Sequence, residues 1–287
     1  SASYFFNKSA SFSESNTFRQ FLNNDGGLAE LYGEENVSNT DNINHRLNAR
    51  IEFKIDSNNT LLFRPRLSVQ QNDGNSTTLG QTSFSNDLLS QTDNIFRSDL
   101  TGVSLNNDLL WRHRLAKQGR TFSINLSSGY APKRGNSLLQ SQDVYYAGQP
   151  IQSNLDQSST LDLNSWNVGG NAEYTEPLSE NAQLLLNYRL SYQQEASDKY
   201  TYDFFEPDGG YTLINEPLSN VFSNDYVTHQ TGAGYNFTKG RDLNFNVRTN
   251  VQWAELANQK TFPVPGTINQ TFFNVLPSAM FRYNLDK

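Results

Sequence analysis

The chain contains no cysteine, which excludes a disulfide framework and a zinc–thiolate centre. No apolar run approaches the roughly 18 residues of a membrane-spanning helix. G-x-S-x-G, Walker A and H-E-x-x-H stretches are all missing, so no common nucleophile, nucleotide or zinc-hydrolase signature is present. Positive charge is also scarce: 22 basic residues face 29 acidic ones, a net charge of −7, which argues against a general nucleic-acid binder. Only 36% of the 287 residues are hydrophobic, and mean hydropathy is −0.66. That is low for a conventional water-soluble core. The opening SASYFFNKSASF lacks the charged start and apolar centre of a signal peptide.

Aromatics are plentiful, with 19 Phe and 14 Tyr, among many Asn, Ser, Gln and Thr. The mixture suits strands with one apolar face. In INHRLNARIEFKIDSNNTLLFRPRLSV, Ile43, Leu47, Ala49, Ile51, Phe53 and Ile55 alternate with Asn44, Arg46, Asn48, Arg50, Glu52 and Lys54. Period-two alternation over such lengths predicts half-apolar β-strands. Ten are expected. The first covers Ser3–Ser13, and the second and third occupy the quoted stretch. The others are Val103–Leu115, Thr121–Tyr130, Leu163–Tyr174, Gln183–Gln194, Val227–Phe237, Asp242–Trp253 and Thr271–Leu285.

Tight turns at Asp56–Asn59, Ala116–Arg120, Pro177–Asn181 and Thr238–Arg241 alternate with long polar connections. The latter, expected as loops, are Glu14–Asp41, Gln71–Gly102, Ala131–Asp162, Glu195–Tyr226 and Ala254–Gln270. Short and long connections in turn are the rhythm of an antiparallel, up-and-down transmembrane β-barrel. About 9–11 tilted residues cross the hydrocarbon. Phase alone does not separate such a barrel from an inside-out soluble one; strand length and loop asymmetry favour the membrane.

Nine strand arginines share the polar phase: Arg46, Arg50, Arg64, Arg66, Arg112, Arg114, Arg189, Arg248 and Arg282. In a barrel they are expected to face the lumen, since an arginine at mid-membrane on the lipid side costs about 2–4 kcal/mol. Pro65 and Pro277 each require a bulge, a strand end or an unpaired edge. His45, His113 and His229 fall in the apolar phase of separate strands, which suits interfacial packing rather than metal binding or catalysis. Aromatics expected in loops, Tyr145, Tyr146, Tyr202, Phe204, Phe205 and Tyr211, are candidate ligand contacts, able to stack on a sugar, grip a peptide or pack as a lid. No catalytic residue, metal or cofactor is expected.

The stretches NINHRLNARIEFKIDSNNTLLFRPRLSVQQNDGN and LLWRHRLAKQGRTFSINLSSGY resemble outer-membrane β-barrel proteins of Bacteroidota, relatives of TonB-dependent receptors. The resemblance runs from about Tyr4 to the end. It implies a Gram-negative outer-membrane location and a large barrel, commonly of about 22 strands. Residues 1–287 are then expected to be one barrel segment without a plug domain, about half of a complete wall, because the chain ends at YNLDK without the terminal aromatic of a finished barrel. The implied role is a receptor or transporter that binds a small nutrient at its long connections and admits it through the lumen, TonB-dependent in the complete protein. Implied partners are outer-membrane lipid, the nutrient, TonB through regions outside this segment, and a surface lipoprotein. Two alternatives stand beside it: a non-transporting surface barrel for adhesion or assembly, and a soluble extracellular β-sandwich that binds or hydrolyses carbohydrate.

Overall fold

The computed structural model describes residues 1–23, 26–85, 87–146, 148–240 and 242–284. Its strands are β1 (Ala2–Leu22), β2 (Leu28–Ala49), β3 (Ile51–Lys54), β4 (Asn59–Phe84), β5 (Asp87–Arg114), β6 (Thr121–Tyr130), β7 (Lys133–Tyr145), β8 (Ile151–Pro177), β9 (Ala182–Phe205), β10 (Gly210–Ile214), β11 (Asn220–Lys239), β12 (Leu243–Phe262) and β13 (Gly266–Tyr283). A 3-10 turn spans Glu216–Leu218. Among the described residues no helix is long and apolar enough to cross a membrane.

The thirteen strands form one antiparallel sheet. β2 and β3 share one lane against β4, and β6 and β7 share another between β5 and β8. β10 is a side hairpin on β9. The result is the expected ten-lane meander. β1 and β13 each pair on one side only among the described residues.

The five long connections are not loops. Residues 14–22 and 28–41 continue the β1–β2 ladder, for example Glu14↔Val37, and residues 71–84 and 87–102 continue β4–β5. Residues 133–145 and 151–163 pair as β7–β8, and β9, β11, β12 and β13 extend in the same way. These arms carry polar side chains on both faces, as in NSTTLGQTSF. They therefore show no apolar alternation, yet their backbone groups still demand partners and find them in the ladder. β5 reaches 28 residues, about 90 Å at ~3.3 Å per residue and three times the ~30 Å hydrocarbon core.

The short connections follow from local chemistry. Asp56 Oδ1 accepts from the backbone N–H groups of Asn58 (2.7 Å) and Asn59 (2.8 Å), closing an Asx turn. Gly119 supplies the left-handed backbone (φ 80°) of the next tight turn. Pro65 stands opposite the break between β2 and β3, where Arg50 N–H turns to the Ser1 carbonyl at 2.8 Å. Pro277 keeps unbroken register with Thr249; on an edge strand one row of backbone groups has no ladder partner, so a missing N–H is tolerated.

The sheet is a single layer. Its accessible area is 18866 Å², against about 12,400 Å² for a compact monomer of this mass. Leu62, Ala182 and Ala254 are the buried hydrophobics among the described residues. In place of a core there are two faces. The row Leu61–Trp111–Ile124–Ala172–Tyr188–Thr231–Val251–Val275 crosses eight lanes on one face. The adjacent row, Thr60–Arg112–Ser123–Glu173–Asn187–Gly232–Asn250–Leu276, crosses them on the other. The apolar face stands open, with Phe53 57% and Leu126 51% exposed.

Side chains converge on the polar face. A Cβ on Gly232 would lie 2.1 Å from Asn250 Oδ1 and 2.8 Å from Asn187 Oδ1, and one on Gly129 would lie 2.5 Å from Asn167 Nδ2. On the apolar face a Cβ at Gly170 meets nothing closer than 3.6 Å. Crowding on one side and divergence on the other make the polar face concave. Glu173 and Arg248 also meet on that side, 3.9 Å apart across the two intervening strands.

Candidate functional site

All nine arginines singled out in the sequence lie on the concave face, spread over the lanes of β2, β4, β5, β9, β12 and β13, with Arg50 at the β2–β3 break. Three have carboxylate partners: Arg66 with Asp108 (2.7 Å), Arg50 with Glu52 (2.9 Å) and Arg248 with Glu173 (3.9 Å). Arg46, Arg64, Arg112, Arg114, Arg189 and Arg282 make no ion pair among the described residues.

The histidines lie on the opposite, apolar face, in aromatic collars. His45 sits 5.0 Å from the Phe6 ring and bonds Tyr4 Oη at 2.8 Å. His229 bonds Tyr188 Oη at 2.9 Å. His113 stacks 5.7 Å from Trp111 and bonds Asn59 Oδ1 at 2.8 Å. Trp166–Tyr192 (5.1 Å) and Trp253–Phe273 (5.4 Å) continue the collars. Among the described residues no group of three or more His, Asp or Glu is placed to hold a metal ion.

Five of the six aromatic ligand candidates stand on strands rather than in loops, and they divide. Phe204 of β9 and Tyr211 of β10 meet edge to face at 5.4 Å. Tyr202 stacks 6.4 Å from Tyr200 on the same side of β9. Tyr145 and Phe205 fall in the opposite phase of their strands. Tyr146 lies just past β7, its N–H on the Leu89 carbonyl at 2.9 Å.

Phe204 borders a cleft of about 660 Å³ on the outer arms, with Asp93, Gln140, Asn154, Asp156, Asp203 and Asn215 in its wall; Tyr211 stands behind that wall, against Phe204 and Asp156. Tyr211 Oη donates to Asp156 Oδ1 at 2.7 Å, and Gln140 Nε2 donates to Oδ2 of the same carboxylate at 3.1 Å. Burial, then the Asp156 carboxylate, push the Tyr211 phenol up to about 12, so it stays a donor at neutral pH. Asp203 accepts from Gln157 (2.7 Å) and Asn215 (3.0 Å). The chain returning after β10 is pinned by Thr201, whose N–H donates to Ser219 Oγ at 2.9 Å and whose hydroxyl meets Ser159 Oγ at 2.8 Å. Sequence reasoning missed Asp156 and Gln140: both stand in stretches read as polar connections rather than strands, and Asp156 is 55 positions from Tyr211.

A second cluster missed from sequence locks two short turns together. Glu176 accepts from Arg120 Nε (2.7 Å), Lys117 Nζ (2.7 Å) and Tyr174 Oη (2.5 Å). These three donors, Arg120 first, hold its carboxyl far below the usual carboxylate range.

A family model described as the outer membrane protein beta-barrel family matches residues 113–287. The chain belongs to this family. It is accordingly an outer membrane protein, its apolar convex face turned to lipid. The membrane-spanning part of each lane is the alternating stretch, such as 122–130 or 245–253, close to the roughly 9–11 residues a tilted strand needs. Solved structures with similar chains include the outer membrane protease OmpT from Escherichia coli, at 10% identity, 97% of this chain and 95% of that one covered, and a TM-score of 0.28. The beta domain of the Bordetella autotransporter BrkA matches at 10% identity, 96% and 98% coverage, and a TM-score of 0.15. No curated protein matches the chain. Likenesses this distant add nothing to the functional reading.

Proposed function

We propose that this outer membrane protein forms the wall of a receptor or transporter. In this reading the concave polar face lines a water-filled path, and the outer arms present the ligand-binding surface. The observation that carries it is the opposition of the two faces. An arginine- and amide-rich surface runs the height of the belt directly behind the apolar one, an arrangement that serves water on one side and lipid on the other. The cleft beside Phe204 and Tyr211 is the assigned place for first contact with a small nutrient, since it combines an exposed ring with convergent amides and carboxylates. No covalent chemistry is assigned to this segment, because its histidines face lipid. The likeness to TonB-dependent receptors noted in the sequence supports an energised mechanism in the complete protein, with TonB and a surface lipoprotein as partners.

The test is solute entry. Proteoliposomes containing the chain should admit small hydrophilic solutes faster than empty liposomes. Correctly inserted protein with no added permeability would favour a non-transporting surface barrel.

A further inference from the structure

We infer that the concave face selects anions: the solute admitted along it carries carboxylate, phosphate or sulfate groups. This rests on reading that face as a water-filled path, and adds the chemical class of what moves along it.

The charge on this face runs against that of the chain. The protein as a whole carries −7. Within the belt and its margins, the concave face carries the nine arginines and Lys54 against five carboxylates, Glu52, Asp108, Glu173, Glu195 and Asp242. Glu52, Asp108 and Glu173 are each already engaged by one arginine. Arg64 lies opposite Asp108 in the ladder, but that carboxylate is taken by Arg66 at 2.7 Å. The row around Arg189 offers no compensation either, since its neighbours are Asn125, Asn171, Gln230 and Gln252. Six guanidinium groups thus make no ion pair among the described residues, on a concave surface backed by lipid.

Such a wall of low dielectric focuses the field into the groove, and rings of arginine select anions in pores. Guanidinium forks also match the planar oxygen pairs of carboxylate and phosphate. Above the belt the acidic residues divide between the faces: Asp73, Asp99, Asp162 and Asp198 lie on the apolar-phase side of their strands, on the outer wall, while Glu34, Asp143 and Asp203 share the concave phase, so the net positive stretch is the belt itself.

The test is the reversal potential of the full chain in planar bilayers under a tenfold KCl gradient. The expected result is a chloride-over-potassium permeability ratio of several-fold. It should fall toward unity in Arg64→Gln/Arg112→Gln/Arg189→Gln, with circular dichroism and protease resistance confirming that the variant is folded. Arg97→Gln, on the outer wall, should leave the ratio unchanged. A cation-preferring wild-type conductance would overturn the inference and leave the conduit standing. If inserted chain conducts nothing, the conduit reading fails, and binding then decides the inference separately. Salt-sensitive uptake of a trisulfonated dye by detergent-solubilised chain, lost in the triple variant, would sustain it. Equal uptake of a cationic dye would sink it.

Discussion

The same strands behave as two materials. Within the belt β6 alternates Phe122, Ile124 and Leu126 with Ser123, Asn125 and Ser127. Higher in the sheet, β4 runs through NSTTLGQ with little apolar pattern. Yet the β4–β5 ladder runs from Asn59↔His113 to Thr82↔Ser90 without a register shift. The alternation therefore reports the solvent on each face. The ladder itself is held by backbone hydrogen bonding, which the arms satisfy equally well. Lipid imposes one-sided greasiness; water on both sides removes it.

Substitutions that move charge between these materials should break the comparison most sharply. Leu126→Arg, at the middle of its lane on the lipid side, should cost about 2–4 kcal/mol in reversible unfolding from lipid vesicles. Thr77→Arg, in the same facial phase but on an arm, should stay within about 0.5 kcal/mol. Equal costs would deny that the belt is where lipid begins. The two faces of the belt should differ in turn. Gly232→Ala must displace Asn250 Oδ1, which stands 2.1 Å from the new Cβ, and should cost about 1–3 kcal/mol. Gly170→Ala, with its nearest contact at 3.6 Å, should be close to neutral on the same assay.

On the arms, Tyr211→Phe removes one hydrogen bond to Asp156 and should lower local stability by about 1 kcal/mol. Hydrogen exchange of the β9–β10 amides reads that loss, while belt amides should be unaffected. The smallest effect expected is at the short-turn end. The Glu176 carboxyl is depressed from its ordinary 4.5 by Arg120, Lys117 and Tyr174. Its contribution is complete above pH 4.5 and is lost as the pH falls through the folded value. Thermal melts of the wild type should therefore lose stability below that pH, and Glu176→Gln should flatten that part of the profile.

The sequence was legible where the environment differs between faces. β6 runs from Thr121 to Tyr130, as the alternation predicts, and the turn at Asp56–Asn59 falls where its Asx chemistry puts it. All nine arginines share one face because each is set by period two alone. The arms were illegible for the converse reason: with polar residues on both sides, nothing in the pattern separates a strand from a loop. The outer cleft was hidden by distance. Asp156 meets Tyr211, and Glu176 meets Lys117 and Arg120, across separations of 55 to 59 positions that only the register reveals.

The absence of native cysteine makes the most direct test simple. Single substitutions from Phe122→Cys through Tyr130→Cys, each spin-labelled in lipid vesicles, report access to oxygen in the bilayer and to a nickel chelate in water. Even positions should be oxygen-accessible and shielded from nickel, and odd positions the reverse, in strict alternation. An inverted phase, or labels on both faces equally open to nickel, would contradict an apolar face in lipid backed by a polar face in water.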